Sequence, residues 1–187
     1  MAILVVDNHS PFTGDILQCL EKMGARYACK KYSEIPEIKA EWPEYEKVIL
    51  SGRQENHRLI NAINSRIVKH CFETDRPLLG ICYGAEITAL TMGGSIKRMP
   101  SGHVRGMTSV QVAATTPIMP EKRRLDVYES HGFCVARLPG DFITVASSAS
   151  CQYEIFAHRK KSIYGTQFHP EKSGTDGMDI LSNFVAL

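Results

Sequence analysis

Pro77-Leu78-Leu79-Gly80-Ile81-Cys82-Tyr83-Gly84-Ala85-Glu86 is an apolar run that stops on a nucleophile-type residue and passes straight into helix-forming sequence. Residues 77–81 read as a buried strand, and 85–92, closed by Gly93-Gly94, as the helix after it. The spacing Gly80-x-Cys82-x-Gly84 fits a strand-to-helix elbow that holds a nucleophile at a sheet edge, with sulfur in place of oxygen. On so tight a turn the backbone is strained, and flanking glycines remove side chains that would collide. The helix that follows aims its first N–H groups at the sulfur, which favours thiolate and can hold an oxyanion. A free cysteine is most often a small buried hydrophobe, and Cys19, Cys29, Cys71 and Cys134 are read that way; the two glycines set Cys82 apart.

The sequence before this stretch alternates. Residues 2–7 form a short apolar strand; 15–23 place Ile16, Leu17, Leu20 and Met23 on one helical face; 26–32 and 47–50 read as further strands. Leu59, Ile60, Ile63, Ile67 and Cys71 mark a second amphipathic helix. Strand and helix in turn imply a parallel sheet with right-handed crossovers. The second half changes character. Residues 107–114, 125–129, 142–146, 152–158 and 162–168 read as short strands, several of them antiparallel, before a last helix over 176–185. Residues 100–106 and 115–124 read as exposed loops, and Tyr32, Trp42 and Tyr45 as packing residues. The expected fold is α/β: a mostly parallel central sheet with flanking helices and an additional antiparallel strand region, in a single domain over 1–187.

Composition narrows the function classes. With 43% hydrophobic and 22% charged residues, disorder and coiled-coil or collagen-like chains are excluded. A net charge of +2 gives no reason to expect nucleic acid or a membrane surface as partner. No apolar run approaches the roughly 20 residues that span a bilayer, and the amino terminus reads as a strand rather than a signal peptide. The six cysteines are scattered with no C-x-x-C, so free thiols and a reducing cytoplasm are expected. There is no H-E-x-x-H or paired-cysteine spacing for a metal, and no cofactor is expected.

A thiolate nucleophile needs a base. Of the seven histidines, His169 stands in a marked setting, Gln167-Phe168-His169-Pro170-Glu171, directly after an apolar strand. Glu171, two residues on across a stiffening proline, is placed to orient the imidazole as the acid of a triad does. His57, His70, His103 and His158 read as surface or strand-end residues.

At these residues the chain resembles the class I (triad) glutamine amidotransferases. Gly80-Ile81-Cys82-Tyr83-Gly84 matches the family elbow G-I-C-x-G, and His169-Pro170-Glu171 matches its H-P-E. The strand ending in Ser51-Gly52 falls where the family has its oxyanion loop, and Ser130-His131-Gly132 resembles its substrate-side strand. The resemblance runs from the first strand to the last helix. Within the family, Val5-Val6-Asp7-Asn8-His9, residues 146–152 and residues 163–171 look like the stand-alone archaeal-type glutaminase subunits of GMP synthetase.

The resemblance implies a reaction. Cys82 attacks the side-chain carbonyl of glutamine, His169 gives a proton to the departing ammonia, and water hydrolyses the glutamyl thioester to glutamate. The backbone N–H groups of Arg53 and Tyr83 would form the oxyanion hole, and Gly52, Glu86, Gly132 and Phe133 would line the substrate pocket. No G-x-x-x-x-G-K-[ST] or G-x-G-x-x-G is present. The ammonia would therefore pass to a separate ATP-dependent synthetase subunit, the ATP-pyrophosphatase subunit of GMP synthase, which aminates XMP.

Two positions depart from the family pattern. Arg53 stands where glycine permits a backbone flip that presents its N–H, and Glu86 stands where glutamine is usual. A carboxylate there would repel the substrate's own carboxylate unless protonated or paired, and would raise the Cys82 pKa. Glu86 favours an alternative, a free-standing γ-glutamyl hydrolase, since related hydrolases carry glutamate at this position. Arg53 favours another, a degenerate amidotransferase-like partner without catalysis, against which the intact Cys82, His169 and Glu171 speak.

Overall fold

The computed structural model describes residues 2–35, 45–100 and 102–187. β1 (Ala2–Asn8), α1 (Thr13–Lys22), β2 (Tyr27–Lys31), β3 (Tyr45–Arg53), α2 (Arg58–Glu73), β4 (Leu78–Ile81) and α3 (Tyr83–Thr91) alternate as the hydrophobic pattern requires. Then come β5 (Ser95–Arg98), β6 (Val104–Val112), β7 (Arg124–His131), β8 (Phe133–Arg137), β9 (Phe142–Ser147), β10 (Ile155–His158), β11 (Ile163–Thr166) and α4 (Gly174–Ala186). Trp42 lies outside the described residues. No helix among the described residues is long and apolar enough to cross a membrane.

A nine-stranded sheet has the order β2-β1-β3-β4-β11-β10-β9-β6-β7, and β5 pairs with β8 apart from it. The strands from β2 to β11 in that order are parallel, and those beyond β11 are antiparallel. The fold is thus the expected α/β arrangement. Why the first strands are apolar throughout follows from burial on both faces. Ile3 and Val5 pack with Ile16 and Leu20 of α1 and with Ile180, Leu181 and Phe184 of α4. Their neighbours Leu4 and Val6 point the other way, onto Ile60, Ile63 and Ile67 of α2 and Ala85 of α3.

The last parallel strand decides where the chemistry can sit. β11 returns from the antiparallel half to lie beside β4, in register Thr166↔Ile81, and β3 flanks β4 on its other edge. The carboxyl ends of β3, β4 and β11 therefore stand side by side, where open α/β sheets bind their ligands.

Several expectations need correction. β5 and β8 were not anticipated. β6 begins at Val104, inside the stretch read as an exposed loop, because it pairs with β7 from Val104↔His131 onward. The 115–124 segment is not wholly exposed either: Ile118 and Met119 are buried in the core. α3 starts at Tyr83, two residues early, with Cys82 as its N-cap. Cys19, Cys71 and Cys134 are buried as expected, but Cys29 is exposed on β2, the outermost strand of the sheet.

Candidate active site

Cys82 occupies φ +52°, ψ −106° at the junction of β4 and α3. Left-handed backbone of this kind costs a residue with a side chain roughly 1–3 kcal/mol, so the surrounding packing must impose it. It does so through the two glycines. A Cβ on Gly80 would lie 2.4 Å from the Gly84 carbonyl, and one on Gly84 would lie 2.3 Å from the Leu50 carbonyl oxygen of β3. The elbow is wedged against the neighbouring strand with no room for a methyl group.

His169 comes to Cys82 from β11. It is pinned on both sides: its N–H donates to Tyr128 O at 2.9 Å, and its carbonyl accepts from Ser173 Oγ at 2.6 Å. Pro170 then begins a short 3-10 turn that brings Glu171 back under the ring, with Nδ1 and Glu171 Oε1 2.7 Å apart. With the Nδ1 proton given to Glu171, Nε2 is the nitrogen left for Cys82, and Cys82 and His169 are hydrogen-bonded. The Phe12 ring stands edge-on to the imidazole at 4.7 Å between centroids. Burial alone would depress the His169 pKa, but the Glu171 carboxylate and the Cys82 sulfur outweigh it and hold it at about 10. Burial pushes the Cys82 thiol up, while His169 and the Tyr83 N–H pull it down. The structure thus brings Cys82, His169 and Glu171 together.

The remaining expected residues gather around this centre with altered detail. A Cβ on Gly52 would meet His169 Cε1 at 3.1 Å, so Gly52 makes room for the imidazole rather than contacting only a substrate. Tyr83 presents its backbone N–H to the sulfur. Arg53 closes β3 in register with Asn8. Its Nη1 donates to Asn56 Oδ1 at 2.7 Å and Asn61 Oδ1 at 2.9 Å, and its guanidinium lies 3.9 Å over the Tyr83 ring. Glu86 is buried and accepts from Gln167 Nε2 at 3.2 Å. Burial raises its pKa against the opposing pull of Gln167, Arg53 and His131. The repulsion expected from a carboxylate here is thereby softened by both protonation and partners. Two lobes meet at Cys82. One, about 310 Å³, is lined by Tyr83, Glu86, Gly132 and Phe133; the other, about 390 Å³, by His169, Ser10, Phe12 and Arg105.

A family model described as glutamine amidotransferase class-I matches residues 4–187. The chain belongs to the class I glutamine amidotransferases. It is 33% identical to the glutamine-hydrolysing GMP synthase of Escherichia fergusonii over 98% of its own length. It spans 36% of the length of that relative. A crystal structure of a GMP synthase subunit from Thermoplasma acidophilum covers all of this chain and 92% of the other at 31% identity, with a TM-score of 0.84. PurLQS from Thermotoga maritima shares the fold at 18% identity and a TM-score of 0.79, covering 99% of this chain and 97% of the other.

Within this family fold the structure adds residues that the sequence did not single out. Ser10 and Phe12 follow β1, Gln54 follows β3, and Gln167 follows β11. Each sits just past a parallel strand, and that rule of position could have found them. Arg105 carries no such signal, lying on the antiparallel β6.

Behind the Glu86 lobe lies a buried acid cluster. His131 Nε2 is 2.5 Å from Glu129 Oε2, and its Nδ1 is 2.7 Å from Phe133 O. With an acceptor at each nitrogen the ring is favoured as imidazolium. Glu154 accepts from Ser148 Oγ at 2.6 Å and faces Glu129. Glu129 Oε1 and Glu154 Oε2 have no donor in reach, so a proton on Glu154 is what joins the two carboxyls. Burial, then the Glu129 charge, pushes the Glu154 pKa up to about 9.

Linkage fixes the sign of the consequence. From about pH 4.3, the ordinary glutamate pKa, up to about 9 the folded state keeps a proton that the unfolded chain has released. Stability contributed by this site therefore falls as pH rises through that window. Glu154→Gln keeps a neutral group in place. It is expected to raise the unfolding midpoint at pH 8 by a few degrees, about 1 kcal/mol or more, and to match the parent near pH 4. Equal midpoints at pH 8 would rule out the shared proton.

Proposed function

We propose that the chain is a glutaminase that hydrolyses glutamine through a Cys82 thioester and hands ammonia to a separate ATP-dependent synthetase. The observation that carries this reading is the imidazole of His169 held between Glu171 and Cys82 at the amino end of α3. Cys82 attacks the γ-carbonyl of glutamine, with the Tyr83 N–H and the Arg53 N–H as oxyanion donors. His169 transfers its proton to the leaving nitrogen, then activates the water that releases glutamate. Glu86, Gly132 and Phe133 hold the glutamyl part, and Gly52 gives the imidazole its space. The likeness to glutamine-hydrolysing GMP synthases supports the ATP-pyrophosphatase subunit of GMP synthase as the cytoplasmic partner, with XMP as acceptor.

The test measures glutamate release by the purified chain, alone and with increasing synthetase subunit, ATP and XMP. Low release alone and a saturable rise with the partner are expected, because Arg53 restrains the oxyanion strand until the partner favours the competent state. A diazoketone analogue of glutamine should label Cys82 ahead of the exposed Cys29. Labelling of Cys29 in preference, with no release under any condition, would leave the chain a non-catalytic binding partner.

A further inference from the structure

The lobe on the His169 side of Cys82 is larger and differently charged than ammonia release requires. His169 delivers its proton to the leaving nitrogen, so the leaving group must sit on that side. Departing ammonia needs about the 30 Å³ share of one water molecule. The lobe measures about 390 Å³. Its walls include Arg53 from β3 and Arg105 from β6, with His103 and Ser130 near its floor, and no Asp or Glu among the described residues lines it. Arg105 Nε is fixed by Tyr128 Oη at 3.1 Å, and Arg53 is fixed by neutral partners, the Asn56 and Asn61 amides and the Tyr83 ring. Neither guanidinium forms an ion pair with a carboxylate among the described residues. Two fixed guanidinium groups without an anion, facing a concave space beside a nucleophile, are built to receive one.

We infer that this lobe is a leaving-group subsite for an anionic amine, so that the chain cleaves γ-glutamyl amides of amino acids as well as glutamine itself. The inference rests on the roles proposed above for Cys82 and His169 and names a second substrate class for the same centre. The Cys82 sulfur bonds to the γ-carbonyl carbon and the C–N bond breaks. The His169 proton goes to the leaving nitrogen, and a free amino acid departs with its carboxylate held by Arg53 and Arg105. Water then adds to the thioester, releasing glutamate and returning the proton to the Cys82–His169 pair. One amide and one water give one glutamate and one amino acid, with no oxidant or further co-reactant.

The experiment separates this subsite from the glutaminase reading. Cys82→Ala binds without turnover, so its affinities, measured by calorimetry, do not depend on a partner. γ-Glutamylglycine is compared with γ-glutamylethylamide, which has a neutral leaving amine of similar length, and with glutamine. γ-Glutamylglycine is expected to bind on the order of tenfold tighter than the ethylamide, the scale of one charge-assisted contact. Arg105→Gln in the same background should bring the ratio close to one, and raised salt should shrink it. The parent enzyme should release glycine from γ-glutamylglycine. Equal binding of the two amides while glutamine still binds would overturn the subsite, leave the glutaminase reading standing, and assign the basic wall to an acidic partner surface. Failure of all three to bind would overturn both.

Discussion

Replacing His169 with alanine is expected to lower glutamine turnover by at least about 100-fold, the ordinary scale of a lost general acid–base group. The ring is pinned by Tyr128 and Ser173 through its backbone and by Glu171 through Nδ1, so no neighbouring side chain can swing in to replace it. Glu171→Gln should cost less, because an amide oxygen can still accept from Nδ1 and keep the ring in place while losing the charge that favours imidazolium. The pH profile gives a second readout. Burial pushes the Cys82 thiol up, and His169, against its burial, is held protonated to about 10 by Glu171 and the sulfur. The pair must lose one proton to reach the thiolate–imidazolium form, so kcat/KM should rise from neutral toward alkaline pH before His169 itself is lost as an acid. An optimum below neutrality, or His169→Ala within a factor of two or three of the parent, would refute the assignment.

Arg53→Gly is expected to do the opposite and raise the basal rate of the isolated chain, by up to about 100-fold if one oxyanion donor is recovered. The physical reason is visible at the carboxyl end of β3. Arg53 is tied in register to Asn8 through its backbone and to Asn56, Asn61 and the Tyr83 face through its side chain. A glycine removes all the side-chain ties at once and opens the backbone conformations needed to turn the N–H toward Cys82. Glu86→Gln added to it should contribute little more, because Glu86 already has a raised pKa and an amide partner. The measurement is glutamate release without partner. An unchanged rate in Arg53→Gly would mean that the donor is already in place, and the partner would then have no gate to open.

The parallel half of the fold and the three central residues were legible because both are local signals. The two-faced apolar strands announce burial on both sides, and Gly80, Cys82 and Gly84 fall within five residues. β5 and β8 were missed because they form a short two-stranded ribbon outside the main sheet, with Ser95–Arg98 half-exposed and carrying no clean alternation. Cys29 was misread because the burial habit of cysteine says nothing about which strand will be the sheet edge. The Glu129–Glu154 pair could not be read at all: 25 positions separate the carboxyls, and β7 and β10 are not sheet neighbours. Arg105 was invisible for a related reason, since it joins the site only through the antiparallel pairing of β6 with β7.

The wedge between Gly80, Gly84 and Leu50 has a meaning for descent. A methyl group at either glycine would collide with backbone whatever the chain does for a living, so a lineage that had abandoned catalysis would still be obliged to keep both. Position 82 is under the reverse constraint. Its left-handed backbone is a burden for any residue with a side chain, and glycine there would relieve it. Drift without chemistry should therefore erase the cysteine first and the glycines last. A relative with both glycines tells an observer only about the scaffold, and it is a side chain retained at 82, against its own conformational interest, that records selection for the reaction.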